Sequence, residues 1–596
     1  MNVATSPALH VRVASALLLG LALVLPFEVP LFRLGPLQIT SVELLLYLLL
    51  AVWAGWGGGA IAVHFVSRPA TARTLARAEW SDPMARAAVV WLGVTFTSAA
   101  FAPSQREAAL KFALRSASGV LLFFAARALA GNAAIVRRLT LALVLGAVLS
   151  ASTAILEGLV PSSEPLWRHF REQSFDAFGL RRASGVFGYP TMGAMYWEAA
   201  IPLVIVVPWI SRGQAPLSTR RRYAIGGATS AILVWGILAS ATRSALAGAA
   251  IACVGLFFLA RAWDRSLARA AVIAMGVLVL VAGSAVFLPS GDSRLGQRLR
   301  WWRDDTWFGV RYEVADAPQT VGSGEVFATT VTLHNTGTLT WHREGSQPTR
   351  LSYHWYLEGS TTPAKFDGRR TELSLDVPPN GTVRVVAIAK APGRAGRYRL
   401  AWDLVQEGVT WFSEHGSAPA EALIEVRADE VVDHAPFQQE PVRATRVPMQ
   451  PGRKALWQGA VALWRGSPLL GIGPDTFRRR YAEVIAPSAS GTAFTDSRIH
   501  ANSFYFETLA DTGIAGIIAL GLVAWAAALA LRNAFVRRDV AGLGFGVAAG
   551  TFFVHGVFDY FLEFTPLLCL FWMVLGVASA QGPPAAPSRA PPDTPA

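Results

Sequence analysis

Two stretches of this chain carry residue types that do proton and anion chemistry. In IHANSFYFETLADTGIAG, residues 499–516, His500, Asn502 and Glu507 stand just ahead of an apolar run. Polar groups are thereby set where a hydrocarbon-crossing segment meets water. A histidine titrates near neutral pH and suits removal of a proton from a hydroxyl; an asparagine two positions on would orient that hydroxyl. About 30 residues upstream lies GSPLLGIGPDTFRRRY, residues 466–481.

The second chemical feature is a set of cations. Arg243 lies in SATRSALAG, a turn so tight that the segments on either side are neighbours. Arg181 and Arg182 precede SGVFGYP, and Lys111 and Arg115, four apart, share one helix face. Arginine presents a planar donor fork matched to phosphate oxygens and stays charged. Two or three could hold a pyrophosphate and stabilise it as it leaves. No Asp, Glu and His cluster has metal-ligand spacing, so neither a metal nor another cofactor is expected. The plainer alternative is that these arginines reach lipid phosphates, or pair with Glu107, Glu198 and Glu507.

Composition says what must position these groups. In 596 residues, 53% are hydrophobic and only 16% charged, with mean hydropathy +0.38, far more apolar than a water-soluble globular chain. Apolar stretches of roughly 17–25 residues, enough to cross about 30 Å of hydrocarbon, fall near 11–27, 39–57, 86–102, 109–126, 139–158, 191–210, 223–239, 244–260, 270–288, 511–531, 540–557 and 564–580. The expectation is an all-α polytopic membrane protein of about twelve spans, its first helix retained because more spans follow it and no small-residue cleavage site is evident.

Alternate short loops differ in arginine. Those at 58–85, 127–138, 211–222, 261–269 and 532–539 hold sixteen, those at 28–38, 103–108, 240–243 and 558–563 only three. This bias puts both termini in the cytoplasm. It also accounts for much of the net charge of +13 without a nucleic-acid partner. Cys253 and Cys569 both fall in spans and read as packing residues.

The segments at 159–190 and 289–502 then lie outside the cytoplasm, and the second must contain a domain. After a connector at 289–307, residues 308–428 turn into short alternating runs rich in Val, Thr, Tyr and Trp, including EVFATTVTLHNTGTLTW and RYRLAWDLVQEGVTWF, separated by turns such as PPNG and APGRAG. They describe an antiparallel β-sandwich inserted between a first membrane portion (1–288) and a last one (503–580), with residues 429–502 returning to the membrane face. The sandwich resembles Trp-containing Ig-like domains, which bind or space, with His334 and His354 as ordinary residues of its sheets. The Pro- and Ala-rich tail at 581–596 has no apolar periodicity and reads as disordered.

The PLLGIGPDTFRRRY run, the HANSFYFETLADTGIAG run, the TRSALAG turn and the RRASGVFGYP stretch, distributed among about twelve spans, resemble the O-antigen ligase and polymerase superfamily. The resemblance covers nearly all of the membrane portion and none of the Ig-like insertion. It implies a type-C glycosyltransferase-like fold in the bacterial inner membrane. It further implies metal-independent, inverting transfer of a glycan from an undecaprenyl-diphosphate-linked donor to a hydroxyl of a glycan, lipid or protein acceptor, at the outer face. On that resemblance Arg182 and Arg243 bind diphosphate and His500 is the base. Lys111, Arg115, Arg181, Asn502 and Glu198 complete the substrate contacts. Many relatives carry a histidine immediately before the asparagine; this chain has Ala501 there and keeps His500 one position earlier. Ligase, polymerase and protein glycosyltransferase share this chemistry. A flippase for a lipid-linked saccharide and an inactive glycan-binding scaffold are the competing classes.

Overall fold

The apolar segments fold as helices because, without water, a backbone must satisfy its own hydrogen bonds. The structure is a computed structural model that describes residues 9–34, 37–67, 80–171, 175–177, 180–210, 218–287, 307–345, 347–428, 451–485 and 499–580. All twelve apolar segments are helical: α1 Leu9–Val24, α2 Ser41–Ser67, α3 Pro83–Ala100, α4 Arg106–Leu129, α5 Ala133–Leu159, α6 Pro190–Ile210, α7 Thr219–Ala239, α8 Arg243–Arg261, α9 Arg265–Phe287, α12 Phe504–Arg537, α13 Val540–His555 and α14 Thr565–Ser579. Two more, α10 Arg453–Arg465 and α11 Phe477–Val484, precede α12.

Among the described residues, seven helices are long and apolar enough to cross a membrane: α4 to α9 and α12. That is fewer than the twelve expected. Helices α1, α13 and α14 have 16, 16 and 15 residues. At 1.5 Å per residue each falls short of a hydrocarbon layer about 30 Å thick. Helix α14 is nevertheless buried along its whole length, and α6 almost so. α6 packs on α5, α7, α8 and α13, and α14 packs on α4, α12 and α13. The outward faces of α4, α9 and α12 expose large apolar side chains, among them Leu114, Leu280 and Trp525. Cys253 and Cys569 are buried free thiols.

Helix α12 is not one continuous rod. Gly513, at φ 65°, breaks it in its first third, so the span expected from 511 onward begins beyond a joint.

Ahead of the insertion, β1 (Pro30–Leu34) pairs with β2 (Leu37–Thr40) and β3 (Phe175–Ala177) with β4 (Leu180–Arg182); the insertion itself is a β-sandwich with a core of its own. One sheet follows the order β10 (Thr371–Glu372), β8 (Thr349–Leu357), β12 (Gly396–Gln406), β14 (Ala420–Arg427), β6 (Thr320–Gly322), with β9 (Pro363–Lys365) and β13 (Thr410–Trp411) attached. The other is β11 (Thr382–Lys390), β7 (Val326–Asn335), β5 (Val310–Ala315). Alternation puts Val383, Val385, Ala387 and Ala389 of β11 inward while Arg384 and Val386 face out. Trp341, Trp355 and Trp402 fill the space between the sheets. One departure from the antiparallel expectation is the parallel pairing of β14 with β6. Buried Asn335 explains the NTG turn: its amide donates to the carbonyls of Leu339 and Val377, and its carbonyl accepts from Gly337 N–H. His354 is a core residue facing the Phe366 carbonyl, and His334 lies beside Thr382 on the sheet surface. The expected connector up to 306 and the tail from 581 lie outside the described residues.

Candidate functional site

The two sequence motifs meet each other. The backbone of 468–473 lies in the break of α12: Ile472 N–H donates to Ala510 O, Gly473 N–H to Asp511 O, and Ile514 and Ala515 N–H to Pro468 and Leu469 O. Glycine is obligatory on both sides. A Cβ on Gly471 (φ 69°) would stand 2.3 Å from the Asp511 carbonyl carbon, and one on Gly513 would stand 2.5 Å from Leu469 O. The Asp511 carboxylate then accepts from Asp475 N–H (2.7 Å) and Phe477 N–H (2.9 Å), capping α11. The GIGPDTF and ADTG motifs are therefore a clasp whose product is the placement of α11.

From α11 a chain of charges runs to His500. Arg478 is gripped by Asp475 (2.6 Å) and reaches Glu563 Oε1 (3.1 Å). The other Glu563 oxygen accepts from His500 Nε2, while His500 Nδ1 donates to Glu507 Oε1 at 2.7 Å. The second Glu507 oxygen accepts from Ala501 N–H at 2.5 Å. Tyr560 lies over the imidazole, 4.9 Å between centroids. Burial disfavours the charged form of His500, but Glu507 and Glu563 outweigh it and hold its pKa well above the ordinary histidine value. Burial pushes Glu563 up, yet His500, Arg478 and Arg115 bring it down to about 2. Both imidazole nitrogens of His500 therefore face carboxylates. To act as the base expected at this position, the imidazole would have to give up a proton held between these two carboxylates.

The arginine turn is a second centre. Glu157, paired with buried Arg171 at 2.5 Å, accepts from the N–H groups of Ser184 and Gly185 and so fixes the strand that precedes them. That strand, β4 (Leu180–Arg182), pairs with β3 (Phe175–Ala177). Arg182 donates from Nε to Ser240 O (2.9 Å) and from Nη2 to Thr242 Oγ1 (3.1 Å), capping the end of α7. Ala241 takes φ 52° to make the turn, and Arg243 stands exposed at the first position of α8. Desolvation lowers the Arg182 pKa to about 10, opposed by Asp559 and helped by Arg453 and Arg243; it stays charged at neutrality. Two guanidinium groups therefore share one corner.

Beside that corner, His555 at the end of α13 receives the buried carboxylate of Glu198 on Nδ1 (2.6 Å). Its Nε2 lies 3.1 Å from Ser244 Oγ and 3.8 Å from Asp559 Oδ2. The segment 556–564 joins the two centres, since it carries Asp559 toward His555 and Tyr560 and Glu563 toward His500. It is pinned by Phe504 N–H donating to Gly556 O at 2.6 Å.

The expected residues divide. Arg182, Arg243 and Glu198 surround the turn, and His500 joins them through segment 556–564. Arg115 donates to Thr565 Oγ1 at 2.6 Å and acts on Glu563. Lys111 instead pairs with Glu107 at 2.6 Å on the surface, an ordinary i,i+4 ion pair apart from these centres. Glu198 faces His555 and no arginine. Asn502 supplies backbone geometry, φ 48°, which asparagine tolerates better than most residues. The side chain of Arg181 lies outside the described residues. The sequence reading missed Glu507 as a histidine partner, and missed His555, Asp559, Glu563, Arg478 and Ser244 altogether. The His555–Asp559 spacing of four was the available signal. Among the described residues no group of three or more His, Cys, Asp or Glu side chains is arranged to hold a metal ion.

No family model and no curated protein matches this sequence. A solved structure of a Pseudomonas fluorescens alkylpurine DNA glycosylase, AlkC, bound to DNA containing an abasic site analogue, is similar over 58% of this chain and 97% of that one, at 10% identity and a TM-score of 0.14. At that score the likeness carries no argument about fold or function.

Proposed function

We propose that this chain is a membrane glycosyltransferase of the O-antigen ligase or polysaccharide polymerase kind. It moves a glycan from an undecaprenyl-diphosphate-linked donor onto the hydroxyl of a glycan, lipid or protein acceptor, with inversion and without a metal. The observation that carries the reading is the corner where Arg182 is locked to the α7–α8 turn with Arg243 at its edge. Arg182 already spends donors on Ser240 and Thr242 and is rigid, while Arg243 is exposed and can close on an anion. A preorganised pair of guanidinium groups is what a departing diphosphate requires. Twelve helices cross a bacterial inner membrane in this reading, both termini are cytoplasmic, and the arginine corner faces outward, as the arginine bias of the loops requires. The inserted sandwich selects the acceptor.

Transport of a lipid-linked saccharide is the second reading, favoured by the broken α12. Transporters place such breaks around a substrate near the bilayer midplane. Here the break is filled by the protein's own backbone at 468–473, which favours transfer.

The test is binding by the full chain in nanodiscs to farnesyl diphosphate, farnesyl monophosphate and farnesol. The diphosphate is expected to bind most tightly, with the preference lost in Arg243→Ala and Arg182→Ala. Equal binding of the three lipids, or an undiminished preference in both variants, contradicts the assignment.

A further inference from the structure

The reaction needs a group that takes the acceptor's proton, and the two histidines of the site are built differently for that task. His500 faces carboxylates with both nitrogens. His555 holds the Glu198 carboxylate on Nδ1 at 2.6 Å, whereas on the Nε2 side the Asp559 carboxylate stands off at 3.8 Å. Its Nε2 then points at a hydroxyl, Ser244 Oγ, at 3.1 Å. Ser244 directly follows Arg243, so the hydroxyl sits one residue from the guanidinium assigned to the diphosphate. We propose that Glu198, His555 and Ser244 form a proton relay, in which Ser244 meets the acceptor hydroxyl and His555 is the terminal proton acceptor. This rests on the glycosyl-transfer reading above.

The helix is shaped for the relay. Ser244 and Gly248 are four apart and share one face of α8. Gly248 leaves the space that the Glu198 carboxylate occupies: a Cβ there would stand 1.7 Å from Oε1. His555 is fully enclosed and Ser244 partly accessible, so substrate meets the serine and not the imidazole. The charged groups facing the ring are Glu198 from α6 and Asp559 from the following segment, and Asp559 in turn acts on Arg182 at the turn.

The acceptor's proton passes to Ser244 Oγ as the serine's own proton passes to His555 Nε2. The acceptor oxygen bonds to the anomeric carbon, and the bond from that carbon to the diphosphate breaks, its electron pair leaving on the diphosphate toward Arg182 and Arg243. Glu198 balances the imidazolium, and the proton leaves by way of Asp559, whose side chain is 16% exposed.

The experiment uses the full chain in nanodiscs and a short polyprenyl-diphosphate disaccharide, with water as acceptor, and follows lipid diphosphate release from pH 5 to 9. His555→Gln is expected to lower the rate by about 10²–10⁴-fold and to erase the acidic limb of the profile. Glu198→Gln, which keeps an oxygen for Nδ1 and guards against misfolding, is expected to lower the rate and displace that limb. Ser244→Ala is expected to lose rate that Ser244→Thr restores, and His500→Gln to keep the acidic limb whatever its rate. An acidic limb unchanged in His555→Gln but erased in His500→Gln overturns the relay while leaving glycosyl transfer standing. Absence of release by wild type, or release undiminished in both Arg182→Ala and Arg243→Ala, overturns the transfer reading and the relay with it.

Discussion

Replacing Glu563 with Gln removes the charge that His500 and Arg478 share, and the cost can be worked from the structure. A carboxyl with an ordinary value of 4.5, held at about 2 in the folded chain, contributes about 3 kcal/mol once ionised, since each pH unit of displacement is worth about 1.4 kcal/mol. Its side chain is only 21% exposed, so solvent screening removes little of this. The value is depressed, so the contribution is complete above about pH 5 and disappears as pH falls through 4.5 toward 2. His500 has the opposite sign. Its raised value adds stability that is complete below 6.5 and is lost as pH rises through the folded value, far above. Glu563→Gln should therefore unfold in an SDS titration about 3 kcal/mol more easily than wild type at pH 6. The gap should fall to roughly half by pH 3, and alkaline destabilisation should begin at lower pH in the variant, where His500 keeps only Glu507. A variant as stable as wild type at pH 6, or a gap independent of pH between 3 and 6, would refute the charge chain.

Three other outcomes follow from particular contacts. Gly248→Ala should cost about 1–3 kcal/mol by overpacking against Glu198 and reduce turnover, seen by unfolding and by lipid diphosphate release together. Asp511→Ala should strand the N–H groups of Asp475 and Phe477, at about 1–3 kcal/mol each, and loosen 466–485 in hydrogen exchange while the exchange of 307–428 is unchanged. Residues 307–428 expressed alone should unfold in one cooperative transition, and Asn335→Ala should lower that stability by about 1–3 kcal/mol, because two buried carbonyls and one N–H lose their partner.

What the sequence made legible and what it hid divide along a physical line. Periodicity and run length are local, so every apolar stretch from 11–27 to 564–580 reappears as a helix and the alternating runs of 308–428 reappear as strands. Helix ends are less local: α1, α13 and α14 are one or two residues shorter than their apolar runs suggested, α13 ending at His555 before the segment 556–564 and α14 lying between Phe564 and Ala580. The arginine corner was legible because the tight turn at 240–243 forces adjacency. The carboxylates were not. Glu563 and Asp559 lie in a connection that the arginine bias reads as empty, and His555 sits inside an apolar run. Contacts such as Asp475 to Asp511 or His555 to Glu198 join residues far apart in sequence, and no local pattern carries them. The motif pair that stands out most in the sequence proved to be a backbone clasp, since its glycines answer to close approach and positive φ.

The central claim is tested most directly by turnover of a purified sample. Full-length protein in nanodiscs, supplied with an undecaprenyl-diphosphate-linked oligosaccharide in the presence of EDTA, should release undecaprenyl diphosphate and a glycan of inverted anomeric configuration. Arg243→Lys, equally folded and inserted, should not, because an ammonium cannot reproduce the bidentate fork. Wild-type rates in Arg243→Lys, or no release by the wild type with EDTA or with added divalent metal, would contradict the account.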